Sequence, residues 1–266
     1  MSTGPARIAA VEPKFIELEV LGNESLSPHL RRVTLGGEEV AAMTPQGFDQ
    51  WFRMFMRKPG QQQLHIPTSP TRWFPQYLTM SGANRPLVRN YTVRSFRPGV
   101  NEIDIDFVVH EDPGPGAAWA LDAKRGERAV ILDEGLLYND SDLPGDVLIV
   151  GDTSALPAIA GITESIDRNR GGVALIEVNH PDDRQEFNAP ENLEVHWLVG
   201  KATEQDGQLA LRTLPELQLS EHLAYAYVAG ESGLAAGTRR HLVRERGLSK
   251  QQVTFTGYWK HGKGYM

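Results

Sequence analysis

The hydrophobic pattern changes once along this chain, at Leu143-Pro144-Gly145-Asp146, and that change restricts the fold more than any other feature. Before it, apolar and polar residues alternate in short runs, as half-buried strands require. The runs are Phe15 to Val20, Leu30 to Leu35, Trp51 to Met56, Val88 to Phe96, Glu102 to Val109 and Arg128 to Leu132. Gly and Pro punctuate them, which predicts a small six-stranded antiparallel Greek-key β-barrel over residues 1–143. Between Gln46 and Thr79 lies a polar stretch marked by Pro59, Pro67, Pro70 and Pro75, read as an exposed loop.

After the break the runs become continuous. Val147 to Val150 is apolar throughout, typical of a strand buried on both faces. Ala155 to Arg168 then carries Ile159, Ile162 and Ile166 on one helical stripe, ended by Gly171-Gly172. Val173 to Val178, Leu193 to Val199, Ala224 to Ala229 and Val253 to Trp259 read as further strands. Ser232 is placed to cap a helix reaching Arg246, before Gly247. Strand alternating with helix predicts a doubly wound parallel α/β sheet over residues 144–266.

A length of 266 residues suits two such domains. The net charge of −7 argues against nucleic acid as a partner, since phosphate neutralisation needs clustered Lys and Arg. No apolar run reaches the roughly 18 residues needed to span a bilayer, so no membrane insertion is expected. Met1 to Ala10 carry no apolar signal core, and a cytoplasmic protein is expected. A monomer is the default. With no cysteine, the chain has no disulfide, iron–sulfur cluster or zinc–thiolate site. The eight histidines show no metal-binding spacing, so no protein-bound metal is expected and redox chemistry would reside in an organic cofactor.

Arg89-Asn90-Tyr91-Thr92-Val93-Arg94 offers such a cofactor a cradle. The arginine can pair with a pyrophosphate, Tyr91 can cover a ring system, and Thr92 can hydrogen-bond its redox edge. Asp106 to His110 follows, then Gly114-Pro115-Gly116-Ala117-Ala118-Trp119, a glycine-rich turn opening a helix. In an open α/β sheet, ligands bind beyond the carboxyl ends of the strands. Gly151 to Pro157 and Gly230-Glu231-Ser232-Gly233 lie there, each a small-residue turn whose free N–H groups favour an anion. Asp152 argues against a phosphate directly at its own turn.

These segments, in order, resemble the siderophore-interacting proteins, ferric-siderophore reductases within the ferredoxin-reductase-like flavoproteins. Arg89 to Arg94 is similar to the family's R-x-Y-T-x-R strand. Asp106 to His110 with Gly114 to Trp119 resembles its D-F-V-x-H and G-P-A-S-x-W region, and Gly151 to Ile159 its G-D-E-T-A-L-P-A-I. Tyr227 to Glu231 resembles V-A-G-E, and Thr256 to Lys263 the terminal G-Y-W-x-x-G. The chain departs from the pattern at Ala117 and Ala118, where Ser and a basic residue are common, and at Thr153, where Glu is. Asp133-Glu134 stand where Pro-Arg is frequent, removing positive charge near the expected ligand face.

The resemblance implies an FAD-binding barrel and a nicotinamide-binding sheet, with NADH or NADPH as electron donor and a separate ferredoxin still open. It implies cofactor contacts at Arg89, Tyr91, Thr92, Val93, Asp106, Val108, His110, Gly114, Gly116, Ala117 and Trp119. On the sheet it implies them at Asp152, Thr153, Ala155, Gly230 and Glu231. Thr92 is the expected catalytic contact. Anionic ferric siderophores call for a local basic patch, expected at Arg53, Lys260 and Lys263. A general flavin oxidoreductase with another acceptor, or a siderophore-binding protein without catalysis, stays open.

Overall fold

Alternation of apolar and polar side chains builds the first sheet. The computed structural model describes residues 5–141, 143–201 and 204–262. They form two compact units, one of residues 9–46 and 50–136, the other of 5–8, 47–49, 137–141, 143–201 and 204–262. In the first unit, β1 (Phe15–Ser25) buries Ile16, Leu18 and Val20 and exposes the residues between them. β2 (Leu30–Gly36), β3 (Trp51–Met56), β4 (Leu87–Thr92), β5 (Ser95–Arg97), β6 (Glu102–Val108) and β7 (Arg128–Gly135) complete one antiparallel sheet. Its order is β4-β3-β7-β1-β2-β6-β5, so the sheet has seven strands and not six.

The added strand arises where the run Val88 to Phe96 breaks. After Thr92, the Arg94 N–H donates to the Asp104 carbonyl, carrying the chain onto β6, where Phe96 faces Ile103. β4 and β5 are therefore opposite edges of the sheet joined by only Val93 and Arg94, which requires the sheet to curl. Inside the curl, Phe52, Met54, Ile105, Phe107, Trp119 and Ile131 share a core. The proline-marked stretch is more than a loop. It contains α1 (Trp73–Thr79), and Trp73 and Tyr77 pack over Phe55, Val88, Val130 and Leu132. That cover leaves β7 buried on both faces.

α2 (Pro115–Asp122) follows β6 and packs Trp119 and Ala120 inward. In the second unit, β8 (Asp146–Asp152), β9 (Gly172–Val178), β10 (Leu193–Val199), β11 (Leu223–Glu231) and β12 (Val253–Trp259) are all parallel, ordered β10-β9-β8-β11-β12. α3 (Leu156–Ser165), α4 (Gln208–Thr213) and α5 (Ser232–Arg244) connect them. The order reverses between β8 and β11, the place where such sheets take ligands. The residue that caps α5 is Glu231 and not Ser232, whose hydroxyl donates to the Trp259 carbonyl.

Candidate functional site

Register decides which strand residues share a face. Tyr91 lies opposite Phe52 and Arg89 opposite Met54, with Asn90 opposite Arg53 on the other face. Phe52 and Met54 belong to the core, and the Tyr91 ring packs 4.3 Å from Phe107, which lies 5.9 Å from Trp119. α2 begins against this face. A β-carbon at Gly116 would sit 2.3 Å from the Tyr91 hydroxyl and 3.4 Å from Arg89 Cγ, so only glycine lets the helix start so close. Burial pushes the Tyr91 hydroxyl well above its ordinary range, against the pull of Arg89, and it stays a donor.

The start of α2 is open. Gly114 caps it without a side-chain hydrogen bond, and its first turn holds no acid. Arg89 is half-buried, and one Nη1 bond to its neighbour's carbonyl (Val88, 2.7 Å) leaves the guanidinium without a carboxylate partner among the described residues. Arg32, Arg97 and Arg128, on other strands of the sheet, all pair with acids. An unpaired arginine, a protonated tyrosine hydroxyl and free N–H groups of a helix start thus converge, and this donor set fits a pyrophosphate. Thr92 ends β4 and is buried.

Other expected contacts are placed differently. The Asp106 carboxylate is taken by Arg32, directly across on β2, through two bonds of 2.7 and 2.8 Å. This pair raises the Arg32 pKa through its hydrogen bonds, against burial. Trp119 is a core residue, with its Nε1 donating to Glu127 at 3.1 Å. Val108 is half-buried at the end of β6, Val93 is buried, His110 is exposed, and Ala117 lies half-buried in the first turn of α2.

At the carboxyl edge of the parallel sheet, the turns do not offer the free N–H groups expected of them. Glu231 accepts from Gly233 N and, at 3.2 Å, Leu234 N, filling the start of α5 with its own carboxylate. Buried Asp152 accepts from Ser154 N at 2.9 Å, Glu231 N at 2.6 Å and Trp259 Nε1 at 3.2 Å. Glu177 takes Gly207 N and Ala210 N at 2.9 and 2.8 Å. Burial pushes both Asp152 and Glu177 above the usual carboxylate range. A β-carbon at Gly230, whose φ is +129°, would strike the Asp152 carboxylate at 2.6 Å. Thr153 and Ala155 are buried, the Thr153 hydroxyl lacking a partner. Three internal carboxylates occupy the anion positions, so these turns do not fit a second pyrophosphate.

Of the expected basic patch, Arg53 is ion-paired with Glu134 at 2.5 Å, Lys260 is exposed, and Lys263 lies outside the described residues. Sequence reading also missed Asp49, buried and holding Leu137 N and Tyr138 N, because its partners lie far along the chain. No helix among the described residues is long and apolar enough to cross a membrane, and no cluster of His, Asp or Glu among them could hold a metal.

Residues 19–136 match the family model for the siderophore-interacting FAD-binding domain, and residues 144–262 that for the siderophore-interacting protein. The chain is 31% identical over 253 residues to the ferric vibriobactin reductase ViuB of Vibrio cholerae, covering 92% of this chain and 89% of that one. Among solved structures, it is similar to a siderophore utilization protein from T. fusca, with TM-score 0.83, 28% identity and 98% of each chain covered. The siderophore-interacting protein SipS from Aeromonas hydrophila gives TM-score 0.77 and 29% identity, with 95% of this chain and 94% of that one covered.

Proposed function

The chain belongs to the siderophore-interacting protein family, and on that premise we propose that it is an FAD-dependent ferric-siderophore reductase. In this reading chelated Fe(III) is reduced to Fe(II) with electrons from NADH, NADPH or ferredoxin. The observation that carries it is Arg89, without a carboxylate partner among the described residues, beside the open start of α2. When bound, FAD supplies the conversion between a two-electron hydride donor and a one-electron ferric acceptor. Hard oxygen ligands hold Fe(III) more tightly than Fe(II), so one electron loosens the chelate.

The chain's own residues bind and orient. Arg89 and the N–H groups of Gly116 and Ala117 hold the pyrophosphate, with Tyr91 against the same cofactor. The hydroxyl of the buried Thr92 would donate to the redox edge. Arg53 meets the chelate. Because Glu231 and Asp152 fill the helix starts of the α/β unit, a nicotinamide dinucleotide gains no anion site there and binds weakly. Its KM is expected toward the upper end of the common range, about 1 mM.

The test is spectroscopic. Purified protein should be yellow, bleach anaerobically with NADH, NADPH or a reduced ferredoxin, and recolour when a ferric chelate is added. Colour that returns with quinones but with no ferric chelate would establish the general flavin oxidoreductase instead. A colourless protein that still binds a ferric siderophore would establish a binding function.

A further inference from the structure

Resting on the reductase reading, the surroundings of Arg53 bear on which ferric chelate is accepted. Arg53 on β3 donates Nε to Glu134 at 2.5 Å and Nη1 to Asn90 at 3.3 Å. Its guanidinium carbon lies 5.3 Å from the ring centre of Trp51 and 4.8 Å from that of Trp73. Glu134 is 9% exposed, so its charge sits close against the arginine and is poorly screened. The neighbouring Asp133 is also buried, accepting from Gln50 Nε2 and Gly135 N. The Arg53 charge expected to meet the chelate is therefore compensated by Glu134 and framed by two indoles.

Ferric chelates differ in charge. A tris-catecholate of Fe(III) carries three negative charges, whereas a tris-hydroxamate is neutral, or positive with a pendant amine. A compensated pair gives the trianion no net attraction, and the Glu134 carboxylate opposes it. A neutral chelate loses nothing at a compensated pair and can pack its aliphatic arms against the half-buried indoles, whose faces Arg53 already engages. We propose that the Arg53–Glu134 pair, framed by Trp51 and Trp73, makes this protein selective for ferric hydroxamates over ferric tris-catecholates. The redox step is unchanged by this choice: each Fe(III) takes one electron, and two chelates reoxidise one fully reduced FAD.

Photoreduced holoprotein, which removes the question of the donor, is mixed anaerobically with the ferric complex of desferrioxamine B or of enterobactin. Flavin reoxidation is followed against chelate concentration. The hydroxamate should reach half-saturation at a concentration at least about tenfold lower. Glu134→Gln frees the Arg53 charge and should shift the ratio of the two half-saturation values about tenfold toward the catecholate, as expected for one charge acting on three through water-like screening. The chelates' own potentials cancel in this ratio of ratios. The double variant Arg53→Gln/Glu134→Gln, neutral again, should return toward the wild-type ratio, and flavin content reports folding throughout. A wild-type preference for the catecholate, or a ratio unmoved by Glu134→Gln in a flavin-loaded variant, would overturn the selectivity. Reoxidation by neither chelate would overturn the reductase reading itself.

Discussion

Arg89 carries the proposed cofactor contact because its charge has no carboxylate partner among the described residues. The strand arginines Arg32, Arg97 and Arg128 each meet a carboxylate, which makes them structural. Charge-assisted hydrogen bonds contribute about 1.5–3 kcal/mol. Arg89→Ala should therefore weaken FAD binding by roughly tenfold or more and give largely colourless protein after purification. Retention of full flavin absorbance would place the pyrophosphate contact elsewhere. At this scale the sequence showed which residue types stand where, and Arg89, Tyr91 and Thr92 could be picked out from their spacing. It could not show that Asp106 is used by Arg32, or that Arg53 is neutralised by Glu134. Those partners lie 74 and 81 residues away, and only strand register brings them together.

At the scale of elements, two helix starts that look alike in sequence do opposite things. Both follow a strand through a glycine-bearing turn, but α2 is left open by Gly114 while α5 is filled by Glu231. A cap is a matter of where a side chain turns, and composition alone does not settle it. The open start depends on Gly116. Gly116→Ala should push the Tyr91 ring away, destabilise the protein by about 1–3 kcal/mol through overpacking, and reduce flavin occupancy. Thermal melting and the flavin-to-protein absorbance ratio check both effects, and a variant normal in both would show that Tyr91 and α2 are loosely apposed. α1 was hidden for a related reason. Its short run of Trp73, Phe74, Tyr77 and Leu78 is embedded among prolines, and its helix is held by packing on Phe55 and Val130 more than by propensity.

At the scale of the whole molecule, global stability should carry a signature of Asp49. This residue clusters with the α/β unit although the chain around it belongs to the barrel unit. Burial raises its pKa to about 6, against hydrogen bonds from the Tyr138 and Leu137 N–H groups and the Tyr227 hydroxyl. A carboxyl group whose pKa is higher folded than unfolded binds more protons in the folded state between those two values. Stability from this group is then greatest below about pH 4 and falls as pH rises to about 6, by roughly 3 kcal/mol. Asp49→Asn keeps an acceptor for both N–H groups and should flatten that part of the curve, measured by denaturant unfolding across pH 4 to 7. An unchanged slope would mean that Asp49 ionises normally.

The sequence by itself determined the two-part architecture, because period-two alternation and continuous buried strands are local patterns that survive without tertiary information. It also marked Arg89 to Arg94 and the glycine-rich turn as the proposed cofactor cradle, whose residue types and spacing are local as well. Tertiary structure alone decided the seventh strand, the closure of the sheet by Val93 and Arg94, and which of the described charges at the candidate sites are paired. A charge is free or compensated according to what lies beside it in space. Arg89 and Arg53 stand on adjacent strands as like cations in the sequence, and only the fold leaves one without a carboxylate partner among the described residues and pairs the other with Glu134.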